Sequence, residues 1–279
     1  MLKSRLIFGT LMTLAFIGVV LLDGWLDGSL TVSPDDDKGV RGTLVVILVA
    51  LLMIPGLFEL SKLAAAKGMK ILLPISIPVS ILLSVSSYWR LLPFPYLPVI
   101  FIISCFLYQR IRYGVSGVFA NCGAACFSVL YLGLLGGFIP AVRINFGPWH
   151  LLMLVFVVKC SDIGAYTFGR LFGKHKFSPV ISPKKTWEGM AGAVIVAAIV
   201  AVAFAVSCDI MVWWLGVLFG ACFAFIGQMG DLAESMLKRD AEKKDASNNV
   251  PGFGGILDVV DSILITAPFG YLFFVLAAK

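Results

Sequence analysis

The chain has 279 residues, of which 59% are hydrophobic and 14% are charged, and its formal net charge is +6. About a quarter of the residues are charged in an ordinary soluble domain. These figures therefore exclude a soluble globular enzyme, a disordered chain and a nucleic-acid-binding module. Several apolar runs reach the roughly 18 residues that indicate a membrane-spanning helix, so we expect an all-α polytopic membrane protein in a lipid bilayer.

Nine apolar segments are predicted as transmembrane helices. Long apolar runs without alternation favour helices over barrel strands, because a backbone in lipid must satisfy its own hydrogen bonds. The fifth segment is long and rich in glycine, so a tilted or broken helix is expected there. In chain order the segments are 5–22, 42–60, 71–89, 91–108, 115–142, 149–168, 190–206, 211–228 and 256–278.

The positive charges alternate between the loops that join these segments. Of the 22 Lys and Arg residues, 16 lie in one set of loops and 5 in the alternate set, while Lys159 lies inside a span. Loops rich in Lys and Arg stay on the cytoplasmic side. We therefore predict a cytoplasmic N-terminus and an outward C-terminus, in a bacterial inner membrane or an equivalent membrane.

The acidic residues are concentrated in the second half of the chain. Ten of the 16 lie between Lys159 and Asp261, whereas only Glu59 lies between Arg41 and Lys159. Because polar groups are costly in a membrane, they mark functional regions. Residues 1–148 are predicted to be scaffold helices, and residues 149–279 a catalytic membrane region with cytoplasmic loops at 169–189 and 229–255.

Two polar clusters follow the sixth span. Lys159 and Asp162 share one helix face, either as a buried ion pair that fixes packing or with Asp162 facing a hydrophilic cavity. The loop from Pro179 to Thr186 is held extended by two prolines. One interpretation is an ordinary positive-inside loop. The other is a rigid loop whose ammonium and hydroxyl groups bind a polyphosphate.

Two further clusters lie on either side of the last loop. Residues 231, 234, 235 and 238 form one polar stripe if helical, which a solvated face explains equally well. A glycine-rich loop then opens the last span, where Asp258 and Asp261 lie three residues apart. No cation inside that span can pair with these aspartates, which favours a magnesium ion as their partner. The glycines would let backbone N–H groups approach phosphate oxygens.

Residues 159–262 resemble the integral membrane phosphatidate cytidylyltransferases, also called CDP-diacylglycerol synthases. The matching upstream elements are Ser-Pro-Lys-Lys-Thr from Ser182 and Gly-Asp-Leu-x-Glu-Ser from Gly230. The C-terminal signature of the family is matched with the right spacing. Its residues here are Ser235, Lys238, Arg239, Lys244, Asp245, Pro251, Gly252, Gly254, Gly255, Asp258 and Asp261.

The resemblance implies that CTP and phosphatidic acid react to give CDP-diacylglycerol and pyrophosphate. It implies Mg²⁺ as cofactor, with a second cation as an option, and it leaves a homodimer open. The implied metal ligands are Asp231, Asp258 and Asp261, which with Lys244 form the catalytic group. The implied substrate-binding residues are Ser182, Lys184, Lys185, Thr186, Ser235, Lys238, Arg239, Asp245, Gly254 and Gly255, supported by Asp162 and Glu234.

Two positions depart from the family pattern. Phe253 stands where the family usually has His, and Val259 stands where it usually has Arg. These two differences leave open the exact substrate and the catalytic rate. Alternative functions are a CTP-dependent lipid kinase, a cytidylyltransferase for isoprenoid lipids and, in a different class, an ion-coupled transporter.

Overall fold

The computed structural model describes residues 2–30, 41–89, 96–247, 250, 252 and 254–277. These residues form ten α-helices, one π-helical segment at Val129–Leu134 and one β-hairpin. The helices are α1 (Leu2–Leu26), α2 (Thr43–Ala66), α3 (Leu73–Trp89), α4 (Tyr96–Tyr113), α5 (Val118–Ser128), α6 (Leu135–Phe146), α7 (Pro148–Phe172), α8 (Trp187–Ser207), α9 (Trp213–Asp240) and α10 (Ile256–Ala277). The strands are β1 (Lys176–Ser178) and β2 (Ser182–Thr186).

The predicted all-α membrane class is confirmed. Seven helices of the described chain are long and apolar enough to cross a membrane. The other two predicted spans correspond to α3, whose apolar part is Leu73–Val85, and to α4. The fifth predicted span is a continuous helix, Val118–Phe146, with the π-helical segment at its middle.

Small residues allow close packing of the helices that carry the polar clusters. Ala193, Ala197, Ala201 and Ala205 recur every fourth residue on α8, and all are buried. On α9, a Cβ at Gly220 would overlap the backbone of Ala198. In a membrane, such small-residue faces replace the hydrophobic effect as the basis of helix association, because they maximise van der Waals contact.

Ion pairs and hydrogen bonds join the helices at two separate ends of the bundle. At one end, Arg143 of α6 pairs with Asp23 and Asp27 of α1 and its following turn, and Asp23 accepts a hydrogen bond from Leu44 N of α2. At the other end, the segments that follow α2 and α9 meet. There Lys67 pairs with Asp240 at 3.3 Å, and Lys243 donates to the Lys62 carbonyl oxygen at 3.2 Å.

The loop between α7 and α8 forms the antiparallel hairpin of β1 and β2. The extended conformation expected for Pro179 to Thr186 is present in β2, whereas Pro179 lies in the turn between the two strands. Thr186 ends this strand and caps α8, since its hydroxyl oxygen accepts a hydrogen bond from Gly189 N at 3.1 Å. Glu188 accepts hydrogen bonds from the backbone N–H groups of Lys174 and His175, so the hairpin is fixed to the start of α8.

Candidate active site

A cavity of about 490 Å³ lies between α7, the hairpin, α9 and α10. All four polar clusters of the sequence contribute to its wall. The charged and polar lining residues are Lys159, Asp162, Lys184, Lys185, Thr186, Gln228, Asp231, Asp258, Asp261 and Ser262. Groups separated by up to about a hundred residues in the chain therefore meet in one place.

The α7 side of the cavity carries one ammonium group between two carboxylates. Lys159 Nζ lies 3.9 Å from Asp162 Oδ2 and 4.0 Å from Asp261 Oδ1. Asp162 Oδ1 also accepts a hydrogen bond from the Gln228 side chain at 2.9 Å. Asp162 thus lines the cavity, as the second alternative expected, and its pair with Lys159 is half-exposed and not the buried pair of the first alternative.

The hairpin brings a second ammonium group to α9. Lys185 Nζ lies 2.8 Å from Asp231 Oδ2 and donates to the Gln228 carbonyl oxygen at 3.2 Å. Asp231 Oδ1 accepts a hydrogen bond from Ser235 Oγ at 3.4 Å. Asp231 therefore faces the hairpin, and because Glu234 and Lys238 are buried, the predicted polar stripe on α9 is not an ordinary solvated face.

Both carboxylate oxygens of Asp258 accept hydrogen bonds. Its Oδ1 accepts a hydrogen bond from Lys238 Nζ of α9 at 2.6 Å. Its Oδ2 accepts from the backbone N–H groups of Gly255 at 2.7 Å and Ala246 at 3.1 Å. The bond to Gly255 belongs to a helix capping box, in which a side chain of the first turn accepts a hydrogen bond from the backbone N–H group of the N-cap residue. No cation lies within α10, as the sequence indicates, but neighbouring helices supply Lys238 to Asp258 and Lys159 to Asp261.

Three other carboxylates form the group best suited to a divalent cation. One oxygen each from Asp231, Glu234 and Asp261 lies within 4.8 Å of the others. Asp261 is 5% exposed and Glu234 is fully buried. Glu234 Oε2 pairs with Lys238, whereas Oε1 finds no hydrogen-bond partner among the described residues. A hard cation takes oxygen ligands of this kind, so these residues fit a magnesium ion. This group contains Glu234, whereas the ligand set implied by the family resemblance contained Asp258.

Glu59 connects the N-terminal half of the chain to this site, and sequence reasoning did not assign it a role. It lies on α2, is fully buried and accepts hydrogen bonds from Ser247 Oγ, Ile256 N and Leu257 N at 2.6, 3.1 and 2.9 Å. The first N–H groups of α10 have no partner within their own helix, and Glu59 supplies one. Its isolation as an acidic residue in an apolar helix was the available signal.

The remaining predicted residues are distributed in two groups. Lys184 and Thr186 line the cavity. The other predicted residues are not part of the cavity lining: Ser182, Glu234, Ser235, Lys238, Arg239, Lys244, Asp245, Gly254 and Gly255. Pro251 and Phe253 lie outside the described residues. Gly255 N–H is directed to Asp258, and phosphate binding by Gly254 and Gly255 stays a prediction.

Comparison with known proteins identifies the family of this chain. Residues 39–277 match the Cytidylyltransferase family. The chain is 36% identical to the phosphatidate cytidylyltransferase of Bacillus subtilis over 162 residues, which is 57% of this chain and 60% of the relative. It is 41% identical to that of Staphylococcus haemolyticus over 152 residues, covering 54% and 58%.

A third relative is the phosphatidate cytidylyltransferase of Mycobacterium tuberculosis, 43% identical over 126 residues, or 44% of this chain and 37% of the relative. The chain therefore spans about half the length of the curated relatives it matches. The family match, in contrast, extends over most of the chain, from the loop before α2 to the end of α10. The chain belongs to the cytidylyltransferase family.

Proposed function

We propose that this protein transfers CMP from CTP to phosphatidic acid and releases CDP-diacylglycerol and pyrophosphate. The observation that carries the proposal is a cavity in which Asp231 and Asp261, two of the carboxylates suited to a divalent cation, lie beside lysines suited to phosphate. The names of the curated relatives support the same reaction. The apolar helices around the cavity would give a lipid substrate access from the bilayer.

The cavity is proposed to open on the cytoplasmic side of a protein that crosses the membrane nine times. The 16-to-5 division of positive charges supports this orientation. The contacts between the segments after α2 and α9 also support it, since both belong to the set of loops predicted to be cytoplasmic. Arg143 and its two aspartates would then lie near the outer side.

Asp231, Glu234 and Asp261 are proposed to hold Mg²⁺, with Asp258 as a further candidate ligand. When bound, the cation would stabilise negative charge on the triphosphate and on the leaving pyrophosphate. Asp258 has a second role in this scheme, because its bonds to Lys238 and Gly255 fix the start of α10 beside α9. Asp162, held by Gln228, orients Lys159 toward Asp261.

The lysines of the cavity are proposed to bind phosphate. Lys184 and Lys185 approach from the hairpin and Lys159 from α7, so cationic charge faces the cavity from two sides. Such charge stabilises the transition state of an in-line displacement at phosphorus. Ser182, Thr186, Ser235, Arg239, Lys244 and Asp245 are proposed to contact the nucleotide or the lipid phosphate when both substrates are bound.

The proposed nucleophile is a phosphate oxygen of phosphatidic acid, which attacks the α-phosphorus of CTP. The lipid phosphate is already anionic near neutral pH, so no general base has to remove a proton. The bond from the α-phosphorus to the bridging oxygen breaks, and pyrophosphate carries away that electron pair. The protein's own contribution is to align the two phosphates and to compensate their negative charge.

Pyrophosphate release by the purified protein in lipid–detergent micelles tests the proposal. Release is expected only when CTP, phosphatidic acid and Mg²⁺ are all present, together with a CDP-lipid product. Diacylglycerol in place of phosphatidic acid is the matched control and should give no pyrophosphate. Release of CDP instead would indicate a lipid kinase, and the absence of any turnover would contradict the proposal.

A further inference from the structure

Ser262 is a polar residue of the cavity wall to which the proposed reaction assigns no role. The residues that α10 contributes to the cavity lining are Asp258, Asp261 and Ser262. Ser262 follows Asp261 directly in the chain, and it is only 1% exposed. A buried hydroxyl group therefore stands in the cavity wall beside a carboxylate suited to the cation.

The hydroxyl group of Ser262 lacks the partner that a serine in a helix commonly has. Serine and threonine side chains in helices often bond to a carbonyl oxygen three or four residues earlier. Ser161 donates in this way to Val158 O at 2.7 Å, and Thr266 donates to Ser262 O at 2.9 Å. Ser262 Oγ itself finds no hydrogen-bond partner among the described residues. Because burial of an unpaired polar group is unfavourable, this hydroxyl group in a cavity wall indicates a partner that arrives with a ligand.

The two other hydroxyl groups of the cavity lining already take part in hydrogen bonds of the fold. Thr186 Oγ1 accepts a hydrogen bond from Gly189 N at the start of α8, and the Tyr166 hydroxyl group accepts one from Arg170 at 3.3 Å. Within the part of the chain that the structure describes, Ser262 is thus the hydroxyl residue that both lines this cavity and has an unpaired oxygen.

The backbone of Ser262 is fixed at the place where α9 and α10 approach each other. Ser262 N donates to Asp261 Oδ1 at 2.6 Å. On α9, a Cβ at Gly230 would lie 2.9 Å from Ser262 Cα, and Asp231 is the next residue of that helix. Rotation about the Cα–Cβ bond is the freedom that remains, so the hydroxyl group can turn between staggered positions toward a ligand.

We propose that Ser262 is a further substrate-binding residue, whose hydroxyl group donates a hydrogen bond to a phosphate oxygen of CTP or of phosphatidic acid. The inference rests on the proposed transfer of CMP. α10 carries no Lys or Arg, and Asp258 and Asp261 would repel a phosphate that approaches it. A neutral hydroxyl donor gives this side of the cavity an attractive contact with the anion, and hydrogen bonds to ionised groups are the stronger ones.

The Ser262→Ala variant tests the inference in steady-state assays of the purified full chain with Mg²⁺. The KM for CTP or the KM for phosphatidic acid is expected to rise about tenfold, as for the loss of one hydrogen bond to a charged group, while kcat stays near that of the wild type. The substrate whose KM rises identifies the phosphate that is bound. Without substrate, the melting temperature should stay the same or rise, because the variant removes an unpaired buried hydroxyl group.

Ser76→Ala is the matched control. Ser76 lies on α3, is fully buried and also has a hydroxyl group without a hydrogen-bond partner in the described part of the chain, but it does not line the cavity. Its loss should leave both KM values unchanged. Binding of Mn²⁺ as a paramagnetic probe, measured by electron paramagnetic resonance, should be equal in Ser262→Ala and the wild type, because the hydroxyl group contacts the phosphate and not the cation.

The outcomes distinguish the inference from the function on which it rests. Wild-type KM values for both substrates in Ser262→Ala would overturn the inference and leave the proposed function intact. Weaker binding of Mn²⁺ by this variant would also overturn it, because the hydroxyl group would then serve the cation. A lower melting temperature without substrate would do the same, since it would show a structural role. Failure of the wild-type protein to form a CDP-lipid would contradict the proposed function, and the inference with it.

Discussion

Two clusters of charged residues in this protein differ in how their carboxylates are partnered. In the cluster around Arg143, one guanidinium group lies 2.8 Å from Asp23 and 2.6 Å from Asp27, and Leu44 N donates to Asp23 as well. In the candidate active site, Lys159, Lys185 and Lys238 pair with five carboxylates, and Lys159 and Lys238 each serve two.

The difference separates a structural cluster from a functional one. The Arg143 cluster joins α1, α2 and α6, and its guanidinium group pairs with both of its carboxylates. Both clusters hold more carboxylates than cations, but the active-site cluster lines a cavity and keeps a carboxylate oxygen of Glu234 with neither an ion pair nor a hydrogen bond among the described residues. Buried charges are stable only when paired or bound to a metal, so the second cluster is the one that favours a cation.

The largest expected effect on activity is at the active-site cluster. Asp261→Asn keeps the shape of the side chain and removes one negative charge. CDP-lipid formation should fall at least about a hundredfold, which corresponds to roughly 2.7 kcal/mol of activation free energy. The melting temperature should not fall, since the variant reduces repulsion between carboxylates. Asp209→Asn, at an exposed turn, is the matched control; equal activity in both variants would remove Asp261 from the mechanism.

The Arg143 cluster should respond in the opposite way. Arg143→Met leaves two buried carboxylates without a cation, so the free energy of unfolding should fall by about 3–5 kcal/mol. Activity per folded molecule should stay near that of the wild type. Arg112→Met, on an exposed position of α4, should change neither quantity. A stable Arg143→Met protein that has lost turnover would show that the two clusters are not functionally distinct.

Lys185 tests whether the hairpin binds substrate. Lys185→Ala removes the ammonium group beside Asp231, and the KM for CTP should rise about tenfold, equivalent to roughly 1.4 kcal/mol. Lys176→Ala changes an exposed lysine of the same hairpin and should leave KM unaltered. Steady-state kinetics at saturating phosphatidic acid gives both values. Identical KM values for the two variants would mean that only the general charge of the hairpin matters.

Glu59→Gln should have the smallest effect of the four. The amide retains one acceptor oxygen but loses the negative charge at the start of α10, which should cost about 1 kcal/mol of stability. Hydrogen exchange at the amides of Ile256 and Leu257 should accelerate, while Glu242→Gln at an exposed position should leave it unchanged. Unaltered exchange in Glu59→Gln would contradict its role at this helix end.

Much of the fold could be predicted from the sequence because hydrophobicity along the chain determines membrane helices. Each predicted span corresponds to a helix, or to the α5–π–α6 unit. The concentration of acidic residues after Lys159 likewise indicated the site. These signals are local, and they depend on composition and spacing within a single element.

The pairing of charges between helices could not be predicted in the same way. The i, i+3 spacing placed Asp258 and Asp261 together, but it could not show that Lys238 and the N–H groups of Gly255 and Ala246 engage Asp258. It could not show that Asp261 of α10 lies close to Asp231 and Glu234 of α9. Glu59 meets α10 across about 200 residues of sequence, and the π-helical segment at Val129–Leu134 has no sequence signature.

The fate of the phosphates of CTP tests the central claim most directly. Wild-type protein is incubated with phosphatidic acid, Mg²⁺ and CTP labelled in parallel samples at the α- or the γ-phosphate. The account predicts that the α-label enters the lipid and that the γ-label leaves as pyrophosphate in equal amount, with both processes abolished by a chelator. Transfer of the γ-label to lipid, or α-label transfer that persists without a divalent cation, would contradict it.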